Sequence, residues 1–217
     1  MTVCKIVVLI SNAGTGTNLK AIAEAVKLRK IKAEISAVVC DKADAPGLSH
    51  ARAHNLPVEI CPRKEELLPL LSKLNPDYIC LAGWKQIILD EVIRAFPNKI
   101  LNLHPGLIPD AMEAAVKNPD GSRGLWNKGL LTTKAIQNFL DKKATHAGSS
   151  IHFLTSEFDF GPVLGRVFEK IEAGDTAESL YARLKQKENQ LYVEVLERLT
   201  TSAVSPPAPL LAEIGGD

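Results

Sequence analysis

Buried strands and amphipathic helices alternate along the first half of the chain, and this order constrains the fold most strongly. Residues 5–10 form an apolar, β-branched run, and residues 19–29 then place apolar side chains at helical spacing. Because parallel strands need a crossover connection, usually a helix, the alternation predicts a parallel sheet with helices on both faces. The predicted strands are 5–10, 33–40, 58–61, 78–82 and 99–103, and the predicted helices are 19–29, 47–54, 64–74 and 89–95.

The stretch after the fifth predicted strand is long and rich in turn-forming residues. Residues 110–129 contain the run Asn118-Pro119-Asp120-Gly121 and further glycines, with weak hydrophobic periodicity. This composition predicts a long loop, and loops of this length inside a compact domain are uncommon and often functional. A helix is then expected over residues 132–142, with Thr132 or Thr133 as its N-cap.

The C-terminal part predicts two strands and a long helix. Residues 149–154 and 163–171 read as strands with no helix between them, so we expect them to pair antiparallel. Asp175 or Thr176 is expected to cap an amphipathic helix that runs to about Leu199. The predicted fold class is therefore α/β: a doubly wound, mostly parallel, Rossmann-like sheet with an antiparallel strand pair near the C-terminus.

Length and composition fit one folded domain. The chain has 217 residues, 46% of them hydrophobic, which predicts a single domain over residues 1–200 and a flexible, proline-rich tail over 201–217. Lys and Arg number 26 against 25 Asp and Glu, with no basic stripe, so no nucleic-acid partner is expected. No apolar run reaches membrane-spanning length and no signal peptide precedes the first strand, which predicts no membrane association and a cytoplasmic location.

The four cysteines do not form a recognisable metal or disulfide pattern. Cys4, Cys40, Cys61 and Cys80 each lie in or beside an apolar run, and none belongs to a Cys-x-x-Cys pair. This spacing predicts buried free thiols in a reducing compartment, and no disulfide, zinc or other metal site is expected.

A glycine-rich turn follows the first predicted strand and leads into a helix: Ser11-Asn12-Ala13-Gly14-Thr15-Gly16-Thr17-Asn18-Leu19. Backbone N–H groups at such a helix start form an anion site, and glycine lets a phosphate approach closely. The turn lacks the Gly-Lys-Ser/Thr of a P-loop, and Leu19 stands where a dinucleotide fingerprint has its third glycine. Asp41 lies at the end of the second strand, where a dinucleotide fold has its ribose-binding acid, so a nicotinamide dinucleotide remains an alternative ligand. A turn that binds no ligand is the other alternative.

Three polar residues at predicted strand ends form the second candidate site. Asn102 and His104 lie at the end of the fifth strand, with Pro105 stiffening the chain after it, and Asp159 precedes Phe160-Gly161-Pro162. An amide, an imidazole and a carboxylate can together bind a carbonyl oxygen, move a proton and orient a water or an amine. Ligands of open α/β sheets bind at the carboxyl ends of strands. Each residue taken singly also has a structural explanation as a turn former or a buried histidine.

Several stretches, in order, are similar to the signatures of one enzyme family. They are Val8-Leu9-Ile10-Ser11 with Gly16-Thr17-Asn18-Leu19, Leu81-Ala82-Gly83-Trp84, Asn102-Leu103-His104-Pro105-Gly106-Leu107-Ile108-Pro109, Ser150-Ile151-His152-Phe153, Asp159-Phe160-Gly161-Pro162 and Glu188. Together they resemble the phosphoribosylglycinamide formyltransferases, folate-dependent enzymes of purine synthesis. The resemblance covers roughly residues 4–198, apart from 110–129, and implies the Rossmann-like formyltransferase fold.

The resemblance implies a reaction and its catalytic residues. Formyltransferases of this family pass the formyl group of 10-formyltetrahydrofolate, a co-substrate, to the amine of glycinamide ribonucleotide, and no metal is implied. Asn102 would hydrogen-bond the formyl oxygen as charge develops on it, and His104 would stabilise that oxyanion or move protons. Asp159 would organise a water and accept the proton of the amine.

The resemblance also implies binding residues around this centre. Gly16, Thr17 and Asn18 would hold the substrate phosphate and Glu188 the ribose hydroxyls. His152 has the apolar neighbours Ile151 and Phe153, and from these we expect it to be structural or to support the catalytic residues rather than to act directly. The residues that match the folate-lining segments are Leu81, Gln86, Ile87, Ile88 and Leu154.

Three departures from the family pattern leave the amine acceptor open. Lys85-Gln86 replaces a common Met-Arg pair, the glycine turn is one residue longer, and residues 110–129 replace a short Pro-Gly turn. The long segment either covers the core or a subunit contact, or closes over the acceptor as a lid. The alternatives are another amine acceptor, hydrolysis of the formyl donor, a nicotinamide oxidoreductase, or a non-catalytic folate- or nucleotide-binding relative. A homodimer is also left open.

Overall fold

A seven-stranded sheet organises the part of the chain that the computed structural model describes, residues 3–12 and 14–201. Its strands are β1 (Cys4–Ile10), β2 (Ala33–Cys40), β3 (Val58–Ile60), β4 (Tyr78–Leu81), β5 (Ile100–His104), β6 (His146–Phe153) and β7 (Val163–Lys170). Their order in the sheet is β3-β2-β1-β4-β5-β6-β7. The first five strands are parallel, whereas β6 is antiparallel to both β5 and β7. The predicted fold class and antiparallel pair are confirmed.

The helices cover both faces of this sheet. They are α1 (Thr17–Lys27), α2 (Leu48–Ala53), α3 (Leu67–Leu74, after a 3₁₀ turn at Lys64–Glu66), α4 (Asp90–Ala95), α5 (Thr132–Asp141) and α6 (Ala177–Thr201). On one face, Ile6 and Val8 pack with side chains of α1 and α6; on the other, Val7 and Leu9 pack with α3 and α4. Side chains of a strand alternate between faces, so the fully apolar β1 supplies both cores.

The direction of winding changes between β1 and β4. From β1 the chain moves outward to β2 and β3, then crosses to β4 and continues to β5 on the other side. Ligands of open α/β sheets bind in the crevice at such a switch point, outside the carboxyl ends of the strands. The glycine-rich turn follows β1, and Asn102 and His104 end β5, so the fold places both candidate sites at this edge.

The long helix α6 is anchored to the two strands β4 and β5. The hydroxyl of Tyr192 is fully buried and lies 3.1 Å from the carbonyl oxygens of Leu81, the last residue of β4, and of Leu101, the second residue of β5. Thr176 caps this helix, as predicted: its Oγ1 accepts from the Ser179 N–H at 3.2 Å, and Ser179 Oγ accepts from the Thr176 N–H at 3.0 Å.

The predicted N-cap of α5 is wrong. Thr132 is the first helical residue, and the extended Leu131 occupies the cap position with no side-chain hydrogen bond. The threonine hydroxyls therefore do not cap the helix, and both threonines border the cavity described below.

Two other predictions concern the chain ends and membranes. The predicted tail, apart from Thr201, lies outside the described residues. Within residues 3–12 and 14–201, no helix combines the length and the apolar character needed to cross a bilayer.

Candidate active site

His104 and Asp159 lie side by side at the carboxyl edge of the sheet. His104 is the last residue of β5 and is 2% exposed, while Asp159 lies in the turn between β6 and β7 with a left-handed backbone (φ 48°). The Nδ1 atom of His104 is 3.5 Å from Oδ1 of Asp159. Asp159 is 55 positions after His104. The antiparallel pairing places the end of β6 beside Leu101, and the turn between β6 and β7 then brings Asp159 back to the imidazole.

The carboxyl group of Asp159 is held in its ionised form. Burial alone would raise its pKa, but the adjacent His104 and the Gly129 N–H outweigh that effect, so the pKa lies below its usual value. The Gly129 N–H donates to Oδ2 at 2.8 Å. Asp159 is therefore a charged acceptor beside the imidazole.

Asn102 lies two residues before His104 on β5, and its partner across the strand pair is His152 of β6. The Nδ2 atom of Asn102 is 3.1 Å from Nε2 of His152. Burial, followed by the charge of His104, lowers the pKa of His152 to about 4, so the ring is neutral near pH 7. Its Nε2 therefore accepts a hydrogen bond from the Asn102 amide, which fixes the amide orientation and leaves a second N–H free.

The glycine-rich turn borders a cavity of about 280 Å³. Helix α1 begins at Thr17, directly after Gly16, whose backbone is left-handed (φ 71°). A Cβ on Gly16 would lie 2.8 Å from the Cα of Gly47, so this turn requires glycine for space as well as for conformation. The cavity is lined by Gly14, Thr15, Gly16, Thr17, Asn18, Ala82, Gly83, Lys85, Thr132, Thr133, Tyr181 and Lys185.

Two cations border this cavity that the sequence reasoning did not assign. Lys185 on α6 donates from Nζ to Thr15 Oγ1 at 3.0 Å, and Lys85 follows β4. The combination of a helix N-terminus, hydroxyl groups and ammonium groups favours a phosphate. For Lys85, the sequence signal of a place in the site was the departure from the family pair at residues 85 and 86. For Lys185, on the long helix, the signal was its position three residues before Glu188.

A second, narrower cavity lies between the cavity at the glycine-rich turn and the ends of β4 and β5. Its volume is about 90 Å³, and it shares Asn18, Gly83 and Lys85 with the first cavity while reaching Asn102 and Glu188. The glycine turn, the Asn102 amide and Glu188 thus border one continuous cleft.

Glu188 lies at the floor of this cleft and is 2% exposed. Burial raises its pKa, an effect that the Ser149 hydroxyl and the nearby Lys185 and Lys85 charges partly oppose. Ser149 Oγ donates to Oε1 at 2.6 Å, which leaves Oε2 available to a ligand hydroxyl.

The five residues expected to line a folate pocket do not occupy one surface. Leu154 borders a groove of about 320 Å³ between the end of α4 and the turn after β6, which Ile93 and Pro97 also line. Leu81 borders the narrow cavity with Asn102. Among the other three, Ile88 is buried in the core, Gln86 donates from Nε2 to the Pro62 carbonyl at 3.1 Å, and Ile87 is 68% exposed.

The end of the long segment takes part in the centre itself. The carbonyl oxygen of Trp126 lies 2.7 Å from Nε2 of His104, and the Trp126 indole N–H donates to the Asp159 carbonyl at 2.9 Å. Trp126 thus contacts both members of the His104–Asp159 pair.

Comparison with known proteins gives consistent matches over this region. The family described as formyl transferase matches residues 4–196. The chain is 32% identical over 202 residues to the chloroplastic phosphoribosylglycinamide formyltransferase of Arabidopsis thaliana, covering 88% of this chain and 64% of that protein. It is 34% identical over 200 residues to the phosphoribosylglycinamide formyltransferase of Escherichia coli K12, covering 88% of this chain and 84% of that protein.

A solved structure agrees with these sequence matches. Glycinamide ribonucleotide transformylase 1 from Symbiobacterium toebii superimposes with a TM-score of 0.79 at 29% identity, covering 95% of this chain and 92% of that one.

Proposed function

The chain belongs to the formyl transferase family, and from that premise we propose that it transfers the formyl group of 10-formyltetrahydrofolate to the amine of glycinamide ribonucleotide, a step of purine biosynthesis. The observation that carries the proposal is the continuous cleft from the cation-bordered glycine turn to the Asn102 amide, next to the His104–Asp159 pair. Glycinamide ribonucleotide carries a phosphate and an amine, so its site needs an anion-binding region at one end and a polar reaction centre at the other.

Each end of the acceptor has a candidate partner. The backbone of Gly16, Thr17 and Asn18, with Lys185, binds the phosphate, and the free carboxylate oxygen of Glu188 binds ribose hydroxyls. Asn18 supports the sugar part of this assignment, because its buried Oδ1 has no partner among the described residues and can accept a hydrogen bond from a ribose hydroxyl.

The groove lined by Leu154 and Ile93 offers apolar side chains to the flat aromatic rings of the folate, and it approaches the Asp159 turn through Thr155 and Ser156. The folate supplies the activated formyl carbon. Exposed Ile87 is available to the same ligand, whereas Gln86 and Ile88 support the segment from within.

The reaction centre acts on charge and protons. The free N–H of Asn102 donates to the formyl oxygen, where negative charge develops during attack by the amine. Because His152 accepts the other N–H, the amide cannot rotate its oxygen toward this charge without losing that bond. His104 and the ionised Asp159 take up the proton that the amine loses as its nitrogen bonds to the formyl carbon. The bond between the formyl carbon and N10 of the folate then breaks, and the proton passes to N10 of the departing tetrahydrofolate.

A different phosphorylated amine is the second candidate acceptor, and Lys85 favours it. Lys85 borders both cavities, so a cation lies beside the path from the phosphate to the reaction centre. An acceptor with an additional acidic group would use it.

The direct test is an assay of the purified protein with 10-formyltetrahydrofolate and a panel of phosphorylated amines that includes glycinamide ribonucleotide. We expect release of tetrahydrofolate that depends on glycinamide ribonucleotide, with one formylated product per donor by mass spectrometry. Consumption of 10-formyltetrahydrofolate at a rate independent of the amine would identify a hydrolase instead. Binding of folate without turnover would identify a non-catalytic relative.

The partners proposed are these small molecules, and the proposed location is the cytoplasm. The four cysteines, all within the described residues, are free thiols, which is typical of a reducing compartment.

A further inference from the structure

We infer that the turn Trp126–Gly129, at the end of the long segment, selects the nitrogen through which His104 exchanges protons, and that Asn127 is the positioning residue that holds this turn. The inference deepens the proposed function and rests on it for its kinetic consequence alone. It assigns the proton-exchanging atom as Nδ1, on the side of Asp159.

The carbonyl oxygen of Trp126 determines the protonation of the ring. A carbonyl oxygen accepts hydrogen bonds and donates none, so the 2.7 Å contact requires that His104 Nε2 carry a hydrogen. In the neutral ring the other nitrogen, Nδ1, is then unprotonated. Since Nδ1 faces the Asp159 carboxylate at 3.5 Å, a proton gained there is held between the ring and a charged acceptor.

The close approach of this turn to His104 is built into the chain. A Cβ on Gly106 would lie 1.8 Å from the Trp126 carbonyl oxygen and 2.9 Å from His104 Nε2. Any side chain at this position would displace either the carbonyl or the ring. Gly106 therefore makes room for the hydrogen bond.

The same turn holds Asp159 from two sides. The indole N–H of Trp126 donates to the Asp159 backbone carbonyl at 2.9 Å, and the Gly129 N–H donates to its carboxylate at 2.8 Å. Because one short turn contacts both members of the pair, its position sets the geometry between His104 and Asp159. A displacement of the turn would alter both residues at once.

Asn127 fastens the turn to its surroundings. It is 7% exposed and has a left-handed backbone (φ 57°), a conformation that asparagine tolerates better than most residues. Its Nδ2 donates to the carbonyl oxygens of Pro105 at 3.0 Å and Ala135 at 3.3 Å, and its Oδ1 accepts from Asn138 at 2.8 Å. One side chain thus ties the turn to the residue after His104 and to α5.

The test compares two glycine substitutions at left-handed asparagines. Asn127→Gly keeps the backbone conformation and removes the three side-chain bonds, while Asn75→Gly makes the same change at an exposed left-handed position at the end of α3. We expect Asn127→Gly to lower kcat about tenfold to a hundredfold, as a misplacement near 1 Å does, with little change in either KM. Asn75→Gly should keep wild-type kinetics.

A spectroscopic readout tests the inference without any turnover. Two-bond ¹H–¹⁵N spectra of imidazole-labelled protein, with His104→Gln used for assignment, should show a protonated Nε2 and an unprotonated Nδ1 in the neutral ring. In Asn127→Gly the neutral ring should become a mixture of tautomers. Gly106→Ala, which displaces the carbonyl by a different route, should do the same, with thermal unfolding used to check that each variant is folded.

The two proposals fail in distinguishable ways. An unprotonated Nε2 in the neutral wild-type ring would overturn the inference whether or not the protein is active. Kinetics and tautomer of Asn127→Gly that match those of Asn75→Gly would overturn it too. A wild-type protein with no formyl transfer but with the expected tautomer would instead contradict the proposed function and leave the assignment of Nδ1 supported.

Discussion

Replacement of Asn102 by aspartate separates the chemistry of the centre from its folding. Asn102→Asp keeps the size and shape of the side chain but replaces the NH₂ group by a carboxylate oxygen. That oxygen would lie near 3.1 Å from His152 Nε2, where the native amide donates. Two acceptors facing each other would be unfavourable if His152 kept its present tautomer.

His152 can change to its other tautomer at little cost in free energy. Its Nδ1 is buried with no hydrogen-bond partner among the described residues, so moving the ring hydrogen from Nδ1 to Nε2 breaks no bond. The new carboxylate would then accept from Nε2. We therefore expect the variant to fold, with a small change in its free energy of unfolding.

The effect on turnover should be large because the donor to the formyl oxygen is lost. Removal of one such donor costs about 10² to 10³ in kcat, or about 2.7 to 4 kcal/mol in the transition state, and the added negative charge opposes the developing one. The assay is kcat at saturating donor and acceptor, with Asn75→Asp as the exposed control. A raised KM with unchanged kcat would refute the reasoning, since it would place Asn102 in ground-state binding.

Three further outcomes follow from the same geometry. The pKa of His152 is about 4 in the folded protein against an ordinary 6.5, so the unfolded chain binds more protons between these two pH values. The free energy of unfolding should therefore fall by about 3 kcal/mol as the pH drops from 6.5 to 4. Urea titrations at several pH values should show that His152→Gln lacks this part of the pH dependence. Lys185→Ala should raise the KM for a phosphorylated acceptor about tenfold, because a charge-assisted bond is lost, and steady-state kinetics should show the folate KM unchanged. Tyr192→Phe should lower the free energy of unfolding by about 1 to 3 kcal/mol in urea, because the buried carbonyls of Leu81 and Leu101 lose the one hydroxyl hydrogen that lies within reach of both.

The sheet could be predicted because its signals are local. The continuous apolar run of β1 buries both faces of a central strand, and the helical spacing that follows identifies the crossover. The antiparallel pair was equally accessible, because the chain between β6 and β7 is too short for a crossover helix. The N-cap of α5 was wrong because Thr132 is a good cap by type, whereas the extended Leu131 takes that position.

In the candidate site too, the residues that local patterns indicate could be predicted, whereas those brought in by long-range contacts could not. The helix start after Gly16 and the strand-end position of His104 follow from patterns within a few residues. Lys185, on α6, borders the cavity at the glycine-rich turn, 170 residues beyond the Thr15 hydroxyl that it contacts. A lysine on an amphipathic helix ordinarily indicates a solvated face. No spacing rule connects these two positions.

The long segment illustrates a limit of a different kind. What Trp126 offers His104 is a backbone carbonyl, and every residue type has one, so its identity could not reveal the contact. The traces that a sequence can hold are indirect: Gly106, where a Cβ would collide with that carbonyl, and Asn127, which combines a left-handed backbone with a buried amide. Each alone resembles an ordinary turn residue. Gly106 leaves space for the hydrogen bond between the Trp126 carbonyl and His104, and Asn127 holds the turn that carries this carbonyl. A segment that departs from the family pattern in sequence can therefore still supply the contacts that hold the His104–Asp159 pair.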